Sequence, residues 1–120
     1  PLIALDAVVL DTETTGLDPA KARIVQIGAV RIVHGQLVQD DRFERLVDPG
    51  IPIPAPATAI HHIDDAAVKG APGFAEAFDA LEQFRGGRIV VGHNLGFDLA
   101  IFRRESRLAG RAYDPPASLD

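Results

Sequence analysis

The stretch Leu5-Asp6-Ala7-Val8-Val9-Leu10-Asp11-Thr12-Glu13-Thr14-Thr15-Gly16 decides how this chain is read. Its apolar part reaches back to Leu2, so Leu2 to Leu10 reads as a central strand buried on both faces. The strand then runs into two acids at alternate positions. Side chains alternate across an extended strand, which sends Asp11 and Glu13 to the same side. Two carboxylates held that close repel, and one takes up a proton unless a cation lies between them. Hard oxygen ligands on a rigid strand end suit Mg²⁺ or Mn²⁺ better than zinc. Such an ion can activate water and stabilise an in-line phosphoryl displacement. The residues alone leave a second reading open, in which the acids are simply solvated at the tip of the strand. In either case Thr15-Gly16-Leu17-Asp18-Pro19 is turn chemistry, and Gly16 lets the backbone turn away without steric cost.

Outward from this strand, Ile24 to Val33 reads as a second strand, and His34-Gly35 turns it into a third, Gln36 to Val47. The segment Asp48 to Pro56 carries four prolines and excludes regular helix or central strand. Thr58 is expected to cap a short helix over Ala59 to His62. Phe74, Phe78, Leu81 and Phe84 recur at helical spacing, so Gly73 to Arg85 is an amphipathic helix ended by Gly86-Gly87. A short strand, Arg88 to Val91, leads to a second helix over Leu95 to Ala109. Asn94 is its expected N-cap and Gly110 its C-terminal cap, with Arg103, Arg104 and Arg107 on its outer side.

A length of 120 residues fits one domain, and 47% hydrophobic with 24% charged residues fits an ordinary globule. The chain contains no cysteine, which excludes disulfides, thiolate metal sites and cysteine nucleophiles. No apolar run approaches the ~20 residues that span a bilayer, and no signal-peptide pattern opens the chain. The expectation is a cytoplasmic protein without a membrane partner. The absence of methionine, at Pro1 included, reads as a domain cut from a longer product. A net charge of −5 argues against a broad basic surface for clamping duplex DNA, but not against gripping one strand end through metal-binding acids. The ten arginines against two lysines suit phosphate forks, or reflect genomic composition.

The second informative run is Gly92-His93-Asn94-Leu95-Gly96-Phe97-Asp98-Leu99-Ala100-Ile101-Phe102. A helix starting at Asn94 puts Asp98 in its first turns, where a third carboxylate could face the end of the first strand. Together, Asp11-Thr12-Glu13-Thr14-Thr15-Gly16 and Asn94 to Asp98 resemble the first two motifs of the DEDD-type 3′–5′ exonucleases. The chain is most similar within that group to the epsilon proofreading subunit of bacterial DNA polymerase III. Ile24 to Val30 resembles the family's second strand, with Gln26 where a Glu is often found. Ile60-His61-His62-Ile63-Asp64 resembles its Ile-His-Gly-Ile-Thr loop, with His62 in place of the glycine.

This resemblance implies an α/β, ribonuclease-H-like mixed sheet of three antiparallel strands followed by helix, strand and helix. It implies that Asp11, Glu13 and Asp98 are catalytic and bind two divalent ions, Mg²⁺ or Mn²⁺. Thr14, Thr15, His61, Asn94 and Phe97 are the implied substrate-binding residues, although Phe97 also fits a core aromatic. The implied partners are a single-stranded nucleic-acid 3′ end, with DNA favoured over RNA, and a DNA polymerase catalytic subunit. The run His61-His62-Ile63-Asp64-Asp65 mimics a metal cluster, but adjacent histidines point in different directions. His93 reads as structural, because Asp98 already belongs to the second motif.

In the family a general base and a fourth carboxylate follow a segment like Ala117-Ser118-Leu119-Asp120, whose aspartate starts a helix. The expectation is therefore an exonuclease domain over 1–120 that is incomplete at its C-terminal end and inactive or nearly so alone. It would lack helices that cover one sheet face, leaving an apolar patch. Two rivals stand beside this reading. One is a non-catalytic module of the same fold that binds nucleic acid or a polymerase. The other is a phosphatase in which Asp11 forms an aspartyl phosphate.

Overall fold

The computed structural model describes residues 5–120. Its centre is β1 (Ala7–Thr14), which pairs antiparallel with β2 (Ile24–Val33) and parallel with β4 (Ile89–Val91). β3 (Gln36–Leu46) pairs antiparallel with β2, and β5 (Ser118–Leu119) lies parallel to β4. The sheet order is β3-β2-β1-β4-β5, the expected mixed α/β sheet with an added edge strand. The β2–β3 hairpin turns through His34 and Gly35, both with positive φ, which matches the twist of the strands they join. The expected first strand began at Leu2; its residues 2–4 lie outside the described residues, and pairing begins at Ala7.

Alternation along β1 sorts its side chains. Val8 and Leu10 point into the main core with Ile27, Ala29, Phe43 and Val90. That core is capped by α3 (Phe74–Arg85) and α4 (Leu95–Leu108), which bring Phe74, Leu81, Leu95, Ile101 and Phe102. Phe74, Phe78 and Phe102 interlock with ring centroids 5.2–5.9 Å apart. A second cluster, Val25, Ile53, Ile63 and Val68, anchors the proline-rich segment together with α1 (Ala55–His61) and α2 (Asp65–Val68).

The short elements depart most from the sequence reading, while the ends of the longer ones move by a residue or so. α1 begins at Ala55, inside the proline run, because Pro56 falls in the first turn, where a missing N–H costs no intrahelical bond. Thr58 therefore lies within the helix, and its hydroxyl donates to the Ile63 carbonyl at 2.8 Å. α2 is a single turn with Asp64 as its N-cap, the side chain accepting from Ala67 N–H at 2.8 Å. β5 is two residues long, too short to carry a periodic signal. Gly110, with φ +70°, follows α4 as expected of a C-terminal cap. Among the described residues no helix is long and apolar enough to cross a membrane.

Candidate active site

The site lies at the C-terminal end of β1. Asp11 is exposed, while Glu13 and Thr12 are half-buried. Asp11 and Glu13 line a recess of about 200 Å³ with Thr12, Gln26, Gly28 and Glu44. Gly28 stands opposite Asp11 in the β1–β2 register, so no side chain fills the space beside that carboxylate. Gln26, opposite Glu13, donates from its amide to Glu44 at 3.1 Å.

Asp98 reaches this strand end from the helix side. It is 7% exposed, in the first turns of α4, and accepts a hydrogen bond from the Thr12 hydroxyl. Burial pushes its carboxyl above the ordinary range; the Thr12 bond opposes this, and the charges of Asp11 and Asp120 add to it. Asp98 and Asp11 thus feel each other's charge. They approach from opposite sides of the strand, and Asp98 is turned onto Thr12. Among the described residues no three His, Asp or Glu side chains are gathered in metal-chelating geometry. That holds for the His61-His62-Ile63-Asp64-Asp65 run as well.

Beside the acids runs a groove of about 440 Å³, lined by Thr12 to Leu17, Pro54, Pro56, Ala57, Ile60, His61 and Phe97. Leu17 and Ile60, 88% and 73% exposed, are large apolar side chains left in solvent at its rim. Phe97 both lines the groove and packs on the main core, so its two readings hold together. His61 Nδ1 accepts from Ile63 N–H at 3.1 Å, which puts the ring proton on Nε2, where it donates to the Thr14 carbonyl at 2.9 Å. His61 therefore ties the end of α1 to the end of β1.

The threonines are also committed. Thr14 donates to the Gly16 carbonyl at 2.7 Å, and Thr15, 6% exposed, accepts from Arg23 N–H at 3.0 Å. Asn94 is exposed, adopts a left-handed conformation with φ 58°, and makes no side-chain cap. The cap comes from Asp120, whose carboxylate accepts from Asn94 N–H and Leu95 N–H at 2.9 and 3.0 Å. Asp120 follows β5 and caps α4.

The chain matches the RNase_T family, described as an exonuclease, over residues 8–120. The chain belongs to the RNase_T exonuclease family. It is 49% identical over 117 residues to a DNA polymerase III subunit epsilon-like protein of Rhodobacter capsulatus, covering 97% of this chain and 17% of that one. It is 36% identical over 98 residues to a PolC-type DNA polymerase III of Lacticaseibacillus paracasei, covering 82% of this chain and 7% of the relative. Among solved structures it is similar to exonuclease X in complex with 5′-overhanging duplex DNA. There the TM-score is 0.69 and the identity 31%, over 93% of this chain and 57% of that one. The chain thus spans a minor part of the curated relatives it matches.

The family implies a divalent metal, and the carboxylates near the end of β1 have the chemistry to bind one, while as they stand no three of them surround a common point. Asp11, Glu13 and Asp98 offer hard oxygens only, and a cation would relieve the like-charge stress between Asp11 and Asp98. Sequence reading missed the Thr12–Asp98 bond, although Thr12 alternates with the two acids and must face the helix side. It also missed Arg104, which was expected on the outer side of α4 but donates to the carbonyls of Pro19 and Ala22.

Proposed function

We propose that this exonuclease-family domain removes nucleotides from the 3′ end of a DNA strand by metal-dependent hydrolysis of the terminal phosphodiester. The observation that carries the reading is the pair Asp11 and Glu13 lining one recess at the end of β1, with Asp98 held to Thr12 of the same strand from the helix side, beside an apolar-rimmed groove. Those three carboxylates would hold the divalent ions. Such ions supply an activated water at neutral pH and charge stabilisation of the leaving 3′ oxygen.

The chain's own residues divide the remaining work. Thr12 holds Asp98 toward the strand end, and a bound cation would compete with that hydroxyl for the carboxylate. The groove between Leu17, Ile60 and Phe97 offers apolar surface on which a terminal base can stack. Because Nδ1 of His61 accepts a backbone N–H, this ring is a fixed wall of the groove, not a free base. DNA is the favoured substrate and a polymerase catalytic subunit the favoured partner, since the relatives include DNA polymerase III proteins and a DNA-bound exonuclease.

The test is release of mononucleotides from a 3′-labelled single strand by the full-length protein that carries this domain, with Mg²⁺ or Mn²⁺, because residues 1–120 alone are expected to be inactive or nearly so. Asp11→Ala should abolish release and leave the circular dichroism spectrum unchanged. Unchanged release by that variant would overturn the assignment of the site.

A further inference from the structure

The loop between β1 and β2 carries Leu17 to the groove, and two adjacent α4 residues hold that loop. Thr15 and Arg23 close its neck with one backbone and one side-chain bond: Thr15 N–H donates to the Arg23 carbonyl at 2.9 Å, and Arg23 N–H donates to the Thr15 hydroxyl at 3.0 Å. Below the neck, Glu105 accepts from Ile24 N–H at 2.9 Å and from the Arg23 guanidinium at 3.3 Å. Within the loop, Asp18 binds its own neighbours, accepting from Ala20, Lys21 and Ala22 N–H at 2.8–3.0 Å. Beyond the neck, the two arms of the Arg104 guanidinium donate to the carbonyls of Pro19 and Ala22. The planar fork suits two acceptors a few residues apart, which an ammonium point charge does not.

We propose that Arg104, with Glu105 beneath it, is a positioning residue that fixes the Thr15–Arg23 loop so that Leu17 meets the terminal nucleotide. The inference rests on the exonuclease reading above. Leu17 is 88% exposed, so its own packing does not hold it in place; the loop's anchorage does. A rim in binding shape a tenth of the time weakens apparent affinity about tenfold.

The experiment compares the full-length protein that carries this domain with its Arg104→Ala, Arg104→Lys, Leu17→Ala and Arg104→Ala/Leu17→Ala variants. Amide hydrogen exchange over residues 17–22 is followed alongside KM and kcat on a single-stranded DNA oligonucleotide with Mg²⁺. Arg104→Ala should speed that exchange, raise KM about tenfold and leave kcat within about twofold, with Lys restoring little. The double variant should be no worse than Leu17→Ala alone, because the loss at Arg104 acts through Leu17. Unchanged exchange in Arg104→Ala overturns the anchorage. Faster exchange with unchanged KM overturns the positioning role. A full-length protein carrying this domain that hydrolyses no DNA overturns the exonuclease reading and the positioning role with it, while the exchange result still decides the anchorage.

Discussion

Glu105 and Ile24 are joined across the molecule: the buried carboxylate on α4 accepts the backbone N–H of the first residue of β2 at 2.9 Å. Ile24 is fully buried and begins its strand at a register shift against Thr14, where the carboxylate takes the place of a ladder partner. Glu105→Ala leaves that N–H without an acceptor and should cost about 1–3 kcal/mol in urea unfolding.

The same carboxylate sets a pH dependence. Burial raises its pKa above the ordinary 4.5, and the Ile24 bond and Arg23 only partly oppose the rise. A raised folded-state pKa means that the folded protein binds the proton more tightly than the unfolded chain. Stability from this group is full below pH 4.5 and is lost as pH rises through the folded value. Glu105→Gln removes that dependence. Urea midpoints should therefore shift in favour of the Gln variant between pH 4.5 and 7.5. A shift toward wild type over that range would mean that the Arg23 ion pair outweighs burial.

Gly92 is where β4 hands over to α4. A Cβ there would lie 2.9 Å from the Leu10 carbonyl and 2.7 Å from a Leu95 methyl. The carbonyl belongs to the central strand and cannot yield, so Gly92→Ala should destabilise by about 1–3 kcal/mol. Gly96, one turn on, has open space at the Cβ position, and Gly96→Ala should gain up to about 1 kcal/mol. Thermal midpoints moving the same way in both variants would contradict this packing.

Asp120 and Asn94 separate what the sequence could say from what it could not. Asn94 has the right residue type and place for an N-cap, but its left-handed backbone turns its side chain away from the helix N–H groups. An acid 25 residues beyond Leu95 takes the role, because β5 runs parallel to β4 and ends beside α4. No periodic pattern reports a two-residue strand. By contrast, β2, β3 and both long helices were legible, since each has enough residues for its period to show. Asp11 and Glu13 stood out as candidates for a local reason, the alternation along β1. Thr12 and Arg104 act through long-range contacts that only the packing of α4 defines. Asp120→Ala should cost about 0.5–2 kcal/mol, and Asp120→Asn less, because the amide keeps one acceptor. Equal loss in both variants would point to charge at the helix terminus as the main contribution.

His62 occupies a left-handed position, φ 63°, at the C-terminus of α1, where its N–H donates to the Thr58 carbonyl at 2.7 Å. A side chain there costs about 1–2 kcal/mol of backbone strain, partly offset because glycine is more flexible in the unfolded chain. His62→Gly should raise stability by about 0.5–1 kcal/mol, and His62→Val should lower it. The reverse ranking in urea would show that the imidazole makes a contact worth more than the strain.

Asp98 gives the sharpest test of the candidate metal centre, because its environment penalises charge without a cation. Burial and the neighbouring charge of Asp11 disfavour the carboxylate, so Asp98→Asn should cost little stability in EDTA at pH 8. An ion bound to the folded state alone stabilises it by about 2.7 kcal/mol at a hundred times its dissociation constant. Mn²⁺ should therefore raise the wild-type thermal midpoint and leave those of Asp98→Asn and Asp11→Asn nearly unmoved. EDTA should reverse the rise. If Mn²⁺ raised all three midpoints equally, the ion would be binding elsewhere, and the acids at the end of β1 would be no more than a solvated strand tip.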